Sequence, residues 1–182
     1  GKGVRNIYQP VDQTAFTIGE IESFKESAER NGSRASTKVI LFTEIEINER
    51  QSRMTGFPVG SEVYYIQRIH YLDDVPLILN HNYFLKRAVS GLTKEIAEDS
   101  IYRYLEQTLH MNIVNSKRIM TVEKMTEIDE KYLNVNVADY NCMAVISSQT
   151  YNGDGVMFEY TQSRHRPDHF RFYDNAVRKT IS

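Results

Sequence analysis

The chain has 182 residues, 41% of them hydrophobic and 25% charged, which fits one large domain or two small ones and is long enough to bury a core without disulfides. With 22 basic and 24 acidic residues the net charge is −2, which argues against a free-standing nucleic-acid-binding domain, because such a domain carries a basic excess to neutralise phosphates. The single cysteine, Cys142, excludes an internal disulfide or a cysteine zinc cluster, no run nears the roughly 20 apolar residues of a membrane-spanning helix, and a cytoplasmic location is expected.

Residues 1–20 have weak periodicity, and Pro10 with its small or polar neighbours predicts a linker or irregular arm. Ser23 is placed to cap a helix, with Glu26 three residues later completing a capping box and Gly32 as the stop. The run TKVILFTEIEI from Thr37 to Ile47, β-branched and partly alternating, predicts a strand. A short helix, ERQSRMT, should follow, capped by Asn48 and closed by Gly56. EVYYIQRIHYL, from Glu62 to Leu72, turns at Asp73-Asp74 and returns as PLILNHNYF, the pattern of a hairpin.

Ser100 opens IYRYLEQTLHM, in which Ile101, Leu105 and Leu109 recur at helical spacing. A strand near Ser116 to Lys124 and a short helix near Glu127 to Leu133 come next. CMAVISSQTY and VMFEYTQSRHR flank Asn152-Gly153-Asp154-Gly155 as a second hairpin, and FRFY is expected to extend its last strand. Hairpins dominate and βαβ crossovers are missing, so the fold class is α+β, a largely antiparallel β-sheet with flanking helices.

Side chains alternate between the faces of a strand. Tyr64, Ile66, Arg68 and His70 therefore share one face, and both faces carry aromatic or aliphatic residues, so both should be at least half buried. A guanidinium in that setting needs an anionic partner. The partner is either a glutamate on a neighbouring strand or the phosphate or carboxylate of a ligand. Glu159, with Thr161, Ser163 and His165 on its face, either pairs with Arg68 or accepts hydrogen bonds from sugar hydroxyls. The helix starts at Ser23 and Ser100 offer free N–H groups to an anion, although most such caps only satisfy the backbone.

Enzyme signatures mostly fail. His165 and His169 are spaced like a zinc pair, but Pro167 lies between them and the motif's glutamate is missing. There is no G-x-S-x-G elbow and no phosphate loop. Glu159 has no obvious second acid for glycoside hydrolysis. No metal and no cofactor is expected.

The runs ASTKVILF, YYIQRIHYLDDVPLILNHNYF, SIYRYLE and GVMFEYTQSRHRPDHFRF, in that order, resemble the UTRA domain. This is the effector-binding domain of GntR-family transcription repressors of the histidine-utilisation type. The resemblance runs from about Ser23 to Phe172. It implies a chorismate-lyase-like fold, a homodimer and a non-enzymatic sensor of a small phosphorylated sugar, trehalose 6-phosphate above all. It also implies a winged helix-turn-helix domain, binding operator DNA, ahead of Gly1. Residues 1–20 are then the arm after that domain, and 21–182 the effector-binding domain.

By the same resemblance the ligand-binding residues are Ser23, Phe24, Arg68, His70, Asn80, Ser100, Tyr102, Glu159 and His165. Arg68, His70, Ser100, Tyr102 and the Ser23 turn would hold the anion, with His70 donating best when protonated. Asn80, Glu159 and His165 would read hydroxyls. His70, Asn80 and His165 depart from the arginine, glutamate and tyrosine common at those places. The rival functions are a lyase of aromatic carboxylic acids on the same fold, with Arg68 holding the carboxylate, and a dimerisation module with a vestigial site.

Overall fold

The computed structural model of the chain describes residues 15–17, 28 and 32–173. Its strands are β1 (Ala15–Thr17), β2 (Ala35–Glu46), β3 (Glu62–Leu72), β4 (Val75–Leu85), β5 (Ile113–Lys124), β6 (Cys142–Asn152), β7 (Met157–His165) and β8 (Arg171–Tyr173). Its helices are α1 (Glu49–Thr55), α2 (Lys94–Glu98), α3 (Ile101–Arg103) and α4 (Glu127–Leu133). Six strands form one antiparallel sheet in the order β2-β3-β4-β7-β6-β5. The α+β class expected from the sequence is therefore the one observed.

Local chemistry explains most of the elements. At the β3–β4 turn Asp73 and Asp74 both have positive φ, 49° and 67°, the backbone that a tight two-residue hairpin requires. Asn48 caps α1 through a reciprocal capping box with Gln51, and Gly56 closes it at φ 86°. A methyl group on Gly56 would lie 2.5 Å from the Gln149 amide nitrogen, the movable end of a side chain, so it is the backbone conformation that requires glycine there.

Three findings differ from the sequence reading. FRFY does not prolong β7. A short 3₁₀ turn at Pro167–His169 redirects the chain, and β8 pairs in parallel with β1 as a separate two-stranded ribbon. The segment after Ser100 is helical as expected but not a regular α-helix, because α3 widens at once into a π-helical stretch over Tyr104–Thr108. Helix α2, capped by Thr93, is too short to have shown periodicity. The expected Ser23 helix lies outside the described residues.

Both faces of the sheet are covered. On one, Val39, Tyr64, Ile66 and Phe84 pack with Ala97 of α2 and Ile101 of α3. On the other, Phe57, which follows α1, joins Val63 and Tyr83 at one end, while Leu133 of α4 joins Ile69, Leu79 and Val145 at the other. Phe84 is completely buried, and burial of such a side chain contributes about 2–3 kcal/mol. Edge strand β5 has little cover: Val114, Ile119, Met120 and Val122 are 54%, 66%, 49% and 76% exposed.

Candidate functional site

The centre of the first face is polar. Arg68 pairs in register with Asn80 of β4, and Asn80 with Ser163 of β7. One step along, Asn82 pairs with Thr161, and Phe84 with Glu159. The period-2 pattern thus brings Arg68, Asn80, Asn82, Glu159 and Thr161, all buried, to one surface although they come from three strands. Helices α2 and α3 bring Ala97 and Tyr102 to the same region.

The side chains form one connected chain of hydrogen bonds. Arg68 Nε donates to Asn82 Oδ1 at 2.9 Å, and Arg68 Nη1 to the Ala97 carbonyl at 3.3 Å. Asn82 Nδ2 donates to Thr161 Oγ1 at 2.7 Å, and Thr161 donates to Glu159 Oε1 at 2.7 Å. The Tyr102 hydroxyl donates to Glu159 Oε2 at 2.7 Å. Neither simple alternative for Arg68 describes its contacts. Among the described residues it has no carboxylate within ion-pairing distance; neutral acceptors hold it, and Glu159 acts on it only through space.

Burial pushes the Arg68 pKa down to about 10, against the opposing pull of Glu159. The group stays charged at neutral pH, but its charge is poorly compensated. Burial and then Glu159 raise the Tyr102 hydroxyl well above its ordinary range, while Thr150 and Arg118 act in the opposite direction. Tyr102 is therefore a neutral donor.

A second polar group adjoins the first. His70 Nδ1 lies 2.9 Å from Thr37 Oγ1, and Asn80 Nδ2 lies 2.8 Å from His70 Nε2. Burial, then the charge of Arg68, then His165, hold the His70 pKa well below 6.5. Burial brings that of His165 down to about 3. The idea of His70 as a protonated donor is thus corrected: at neutral pH it is an uncharged ring with both nitrogens engaged. Asn80 Oδ1 is buried and accepts no hydrogen bond among the described residues, so its acceptor capacity is unused.

Of the residues singled out in the sequence, Arg68, His70, Asn80, Tyr102, Glu159 and His165 all contribute to this sheet face and its helical cover. Ser100 stands at the start of α3, where its hydroxyl accepts from the Arg103 N–H at 3.3 Å. Ser23 and Phe24 lie outside the described residues. Tyr102 and Glu159, placed in separate subsites from the sequence, are bonded to each other. Asn82 and the Ala97 carbonyl were missed. The repeated asparagines of LILNHNYF, two apart and hence on one face, were a signal for Asn82; Ala97 lies in a helix with no readable pattern. Among the described residues no three His, Cys, Asp or Glu side chains are grouped to hold a metal ion, and no helix is long and apolar enough to cross a membrane.

A family model for the UTRA domain matches residues 30–171. The transcriptional regulator TreR of Bacillus subtilis is 32% identical over 167 residues, covering 92% of this chain and 69% of that protein. GmuR of the same organism is 26% identical, over 75% of this chain and 57% of its own length. Among solved structures, the effector-binding domain of the B. subtilis trehalose repressor superposes with a TM-score of 0.69 at 31% identity, over 80% of this chain and 99% of that one. PhnF from Mycobacterium smegmatis gives a TM-score of 0.77 at 18% identity, over 91% and 72%, a likeness of fold.

Proposed function

This chain belongs to the UTRA domain family, and from that premise we propose that it is the effector-sensing domain of a GntR-family transcription repressor, binding a phosphorylated sugar and catalysing no reaction. One observation carries the reading. Arg68 is a buried guanidinium held by neutral acceptors, with no carboxylate in ion-pairing range among the described residues, a costly arrangement unless an anion joins it. An arginine fork matches a phosphate well.

The rest of the site suits a sugar. Asn80, Glu159 and Thr161 can exchange hydrogen bonds with hydroxyls, His165 adds a neutral ring, and His70 orients the Asn80 amide. By the family resemblance, Ser100, Ser23 and Phe24 complete the anion end in this reading. Trehalose 6-phosphate is the effector we propose, supported by the similarity to a trehalose repressor. Operator DNA is then bound by a winged helix-turn-helix domain ahead of this one, in the cytoplasm, with residues 1–20 as the connecting arm, tied to this domain where Ala15–Thr17 pairs with β8. Effector binding shifts operator affinity only if it favours one dimer arrangement over another.

The dimer itself is part of the proposal, and β5 supports it. Its long, apolar and uncovered edge is a ready template for strand pairing. An antiparallel two-fold pairing centred on Met120 sets Lys117 opposite Glu123 of the partner, unlike charges that favour that register. Sedimentation should give a dimer, and Val122→Lys should weaken it; a monomer at tens of micromolar, a range typical of weak contacts, would refute it.

The sensor reading is tested by thermal shift and calorimetry with trehalose 6-phosphate, glucose 6-phosphate and chorismate. A ligand bound only by the folded state raises the melting temperature. A shift with a sugar phosphate supports the reading. Turnover of chorismate, or no response to any sugar phosphate, overturns it.

A further inference from the structure

We propose that Asn82 is the positioning residue of the anion site: its amide aims the Arg68 guanidinium at the effector and, being neutral, leaves the positive charge for it. The inference rests on the sensor reading and gives a role to a residue outside the ligand set that the family resemblance implies.

The same sheet holds a second buried arginine for comparison. Arg164 uses all three guanidinium nitrogens on protein: Nε on Asp129 at 2.8 Å, Nη1 on Glu123 at 2.9 Å and Nη2 on the Lys124 carbonyl at 2.9 Å. Two of those partners are carboxylates, so its charge is met within the fold. Arg68 is held differently. Its Nε donates to the Asn82 amide oxygen at 2.9 Å and its Nη1 to the Ala97 carbonyl at 3.3 Å, and Nη2 makes no hydrogen bond among the described residues. Of the five N–H groups of an arginine, both on Nη2 and one on Nη1 are therefore uncommitted. Two anchors fix the plane of the group, and the uncommitted N–H groups are the ones a phosphate can take. Asn82 is itself only 1% exposed, so it acts on a ligand through Arg68.

The other neighbour of Asn82 sets which way its amide faces. Thr161 has one hydroxyl proton and gives it to Glu159 Oε1 at 2.7 Å, so toward Asn82 its oxygen can only accept. It accepts from Asn82 Nδ2 at 2.7 Å, which leaves Oδ1 toward Arg68. Every bond from Arg68 through Asn82 and Thr161 thus runs toward Glu159, and two neutral side chains stand between the carboxylate and the guanidinium. An aspartate at this position would break the arrangement twice. It has no N–H for Thr161, and it would pair with Arg68 as Asp129 pairs with Arg164.

Calorimetry on the 182-residue chain, with trehalose 6-phosphate and with glucose 6-phosphate, compares the parent with Asn82→Asp and with Asn82→Ala, the latter also combined with Arg68→Ala. Asn82→Asp keeps the shape and the acceptor for Arg68 Nε but adds a competing charge, and should weaken binding about 10- to 100-fold. Asn82→Ala frees one anchor and should weaken it about 3- to 10-fold. A purely structural asparagine predicts the reverse order, because aspartate retains the contact to Arg68 that alanine loses. Once Arg68 is gone nothing remains to be aimed, so Asn82→Ala should then change affinity by roughly 2-fold at most. Melting curves show that each variant is folded at the assay temperature; should one melt early, the other decides. If the parent binds either sugar phosphate and Asn82→Asp binds it equally well, or Asn82→Ala costs as much without Arg68 as with it, Asn82 does not position the anion site and the sensor reading survives. If the parent binds neither, the sensor reading fails and this inference with it.

Discussion

Replacing Arg68 with alanine removes the bonds to Asn82 Oδ1 and the Ala97 carbonyl, 2.9 and 3.3 Å long, and leaves two acceptors short of a donor. Each unsatisfied buried acceptor costs about 1–3 kcal/mol. The guanidinium is itself held at a cost: the fall of its pKa from 12.5 to about 10 corresponds to about 3 kcal/mol against the charged form. These terms largely cancel. The expected net loss is about 1–2 kcal/mol, or roughly 2–8 °C in melting temperature for a domain of this size. Binding has no such cancellation. A phosphate beside Arg68 returns most of that ~3 kcal/mol, so truncation should lower affinity on the order of 100-fold. Arg68→Lys keeps the charge but not the fork and should fall between. Calorimetry with trehalose 6-phosphate, beside a melting curve for each variant, measures both quantities. Unchanged binding by Arg68→Ala would refute the anion site. A melting temperature lowered by more than about 15 °C, well beyond the expected range, would show that Arg68 is chiefly a structural counter-charge to Glu159.

His70 and His165 make stability depend on pH. Their folded pKa values lie below 6.5, that of His165 at about 3, so the unfolded chain binds more protons below pH 6.5. Stability is complete above pH 6.5 and is lost as pH falls toward 3; His165 alone should remove about 2 kcal/mol between pH 7 and pH 5. Denaturant titrations at both values check this, and a His165→Gln variant as pH-sensitive as the parent would contradict it. Arg164 Nε lies 2.8 Å from Asp129 Oδ1, with both side chains nearly inaccessible, so Arg164→Ala should cost about 3–5 kcal/mol. Adding Asp129→Ala should cost less than the sum of the single changes, and a fully additive double-mutant cycle would exclude coupling. Gly56→Ala should destabilise by about 1–3 kcal/mol in chemical denaturation, because its φ is +86° and the Gln149 amide must move off the new methyl and off the Thr55 carbonyl; an unchanged midpoint would show that the backbone relaxes.

Much of the fold was legible along the chain because its determinants are local. The alternation in EVYYIQRIHYL, the Asp73-Asp74 turn and the Asn48 cap each act within a few residues, and the structure has them where the sequence places them. The same alternation put Arg68 with His70, and Glu159 with Thr161, on common faces. The sequence did not show that β4 of one hairpin lies against β7 of the other, a pairing between residues some eighty positions apart. That contact joins Asn82 to Thr161 and turns two unrelated strand faces into one polar network. FRFY was misread because leaving β7 depends on a partner strand, β1, at the far end of the chain. Charge states were decided in the same way. A histidine in a strand is an ordinary titrating group until burial beside Arg68 makes its proton costly, and desolvation is a property of everything packed around a residue. Local sequence thus determined the elements and their faces, whereas the partners of each polar group and the charge it can carry came only from the assembled sheet.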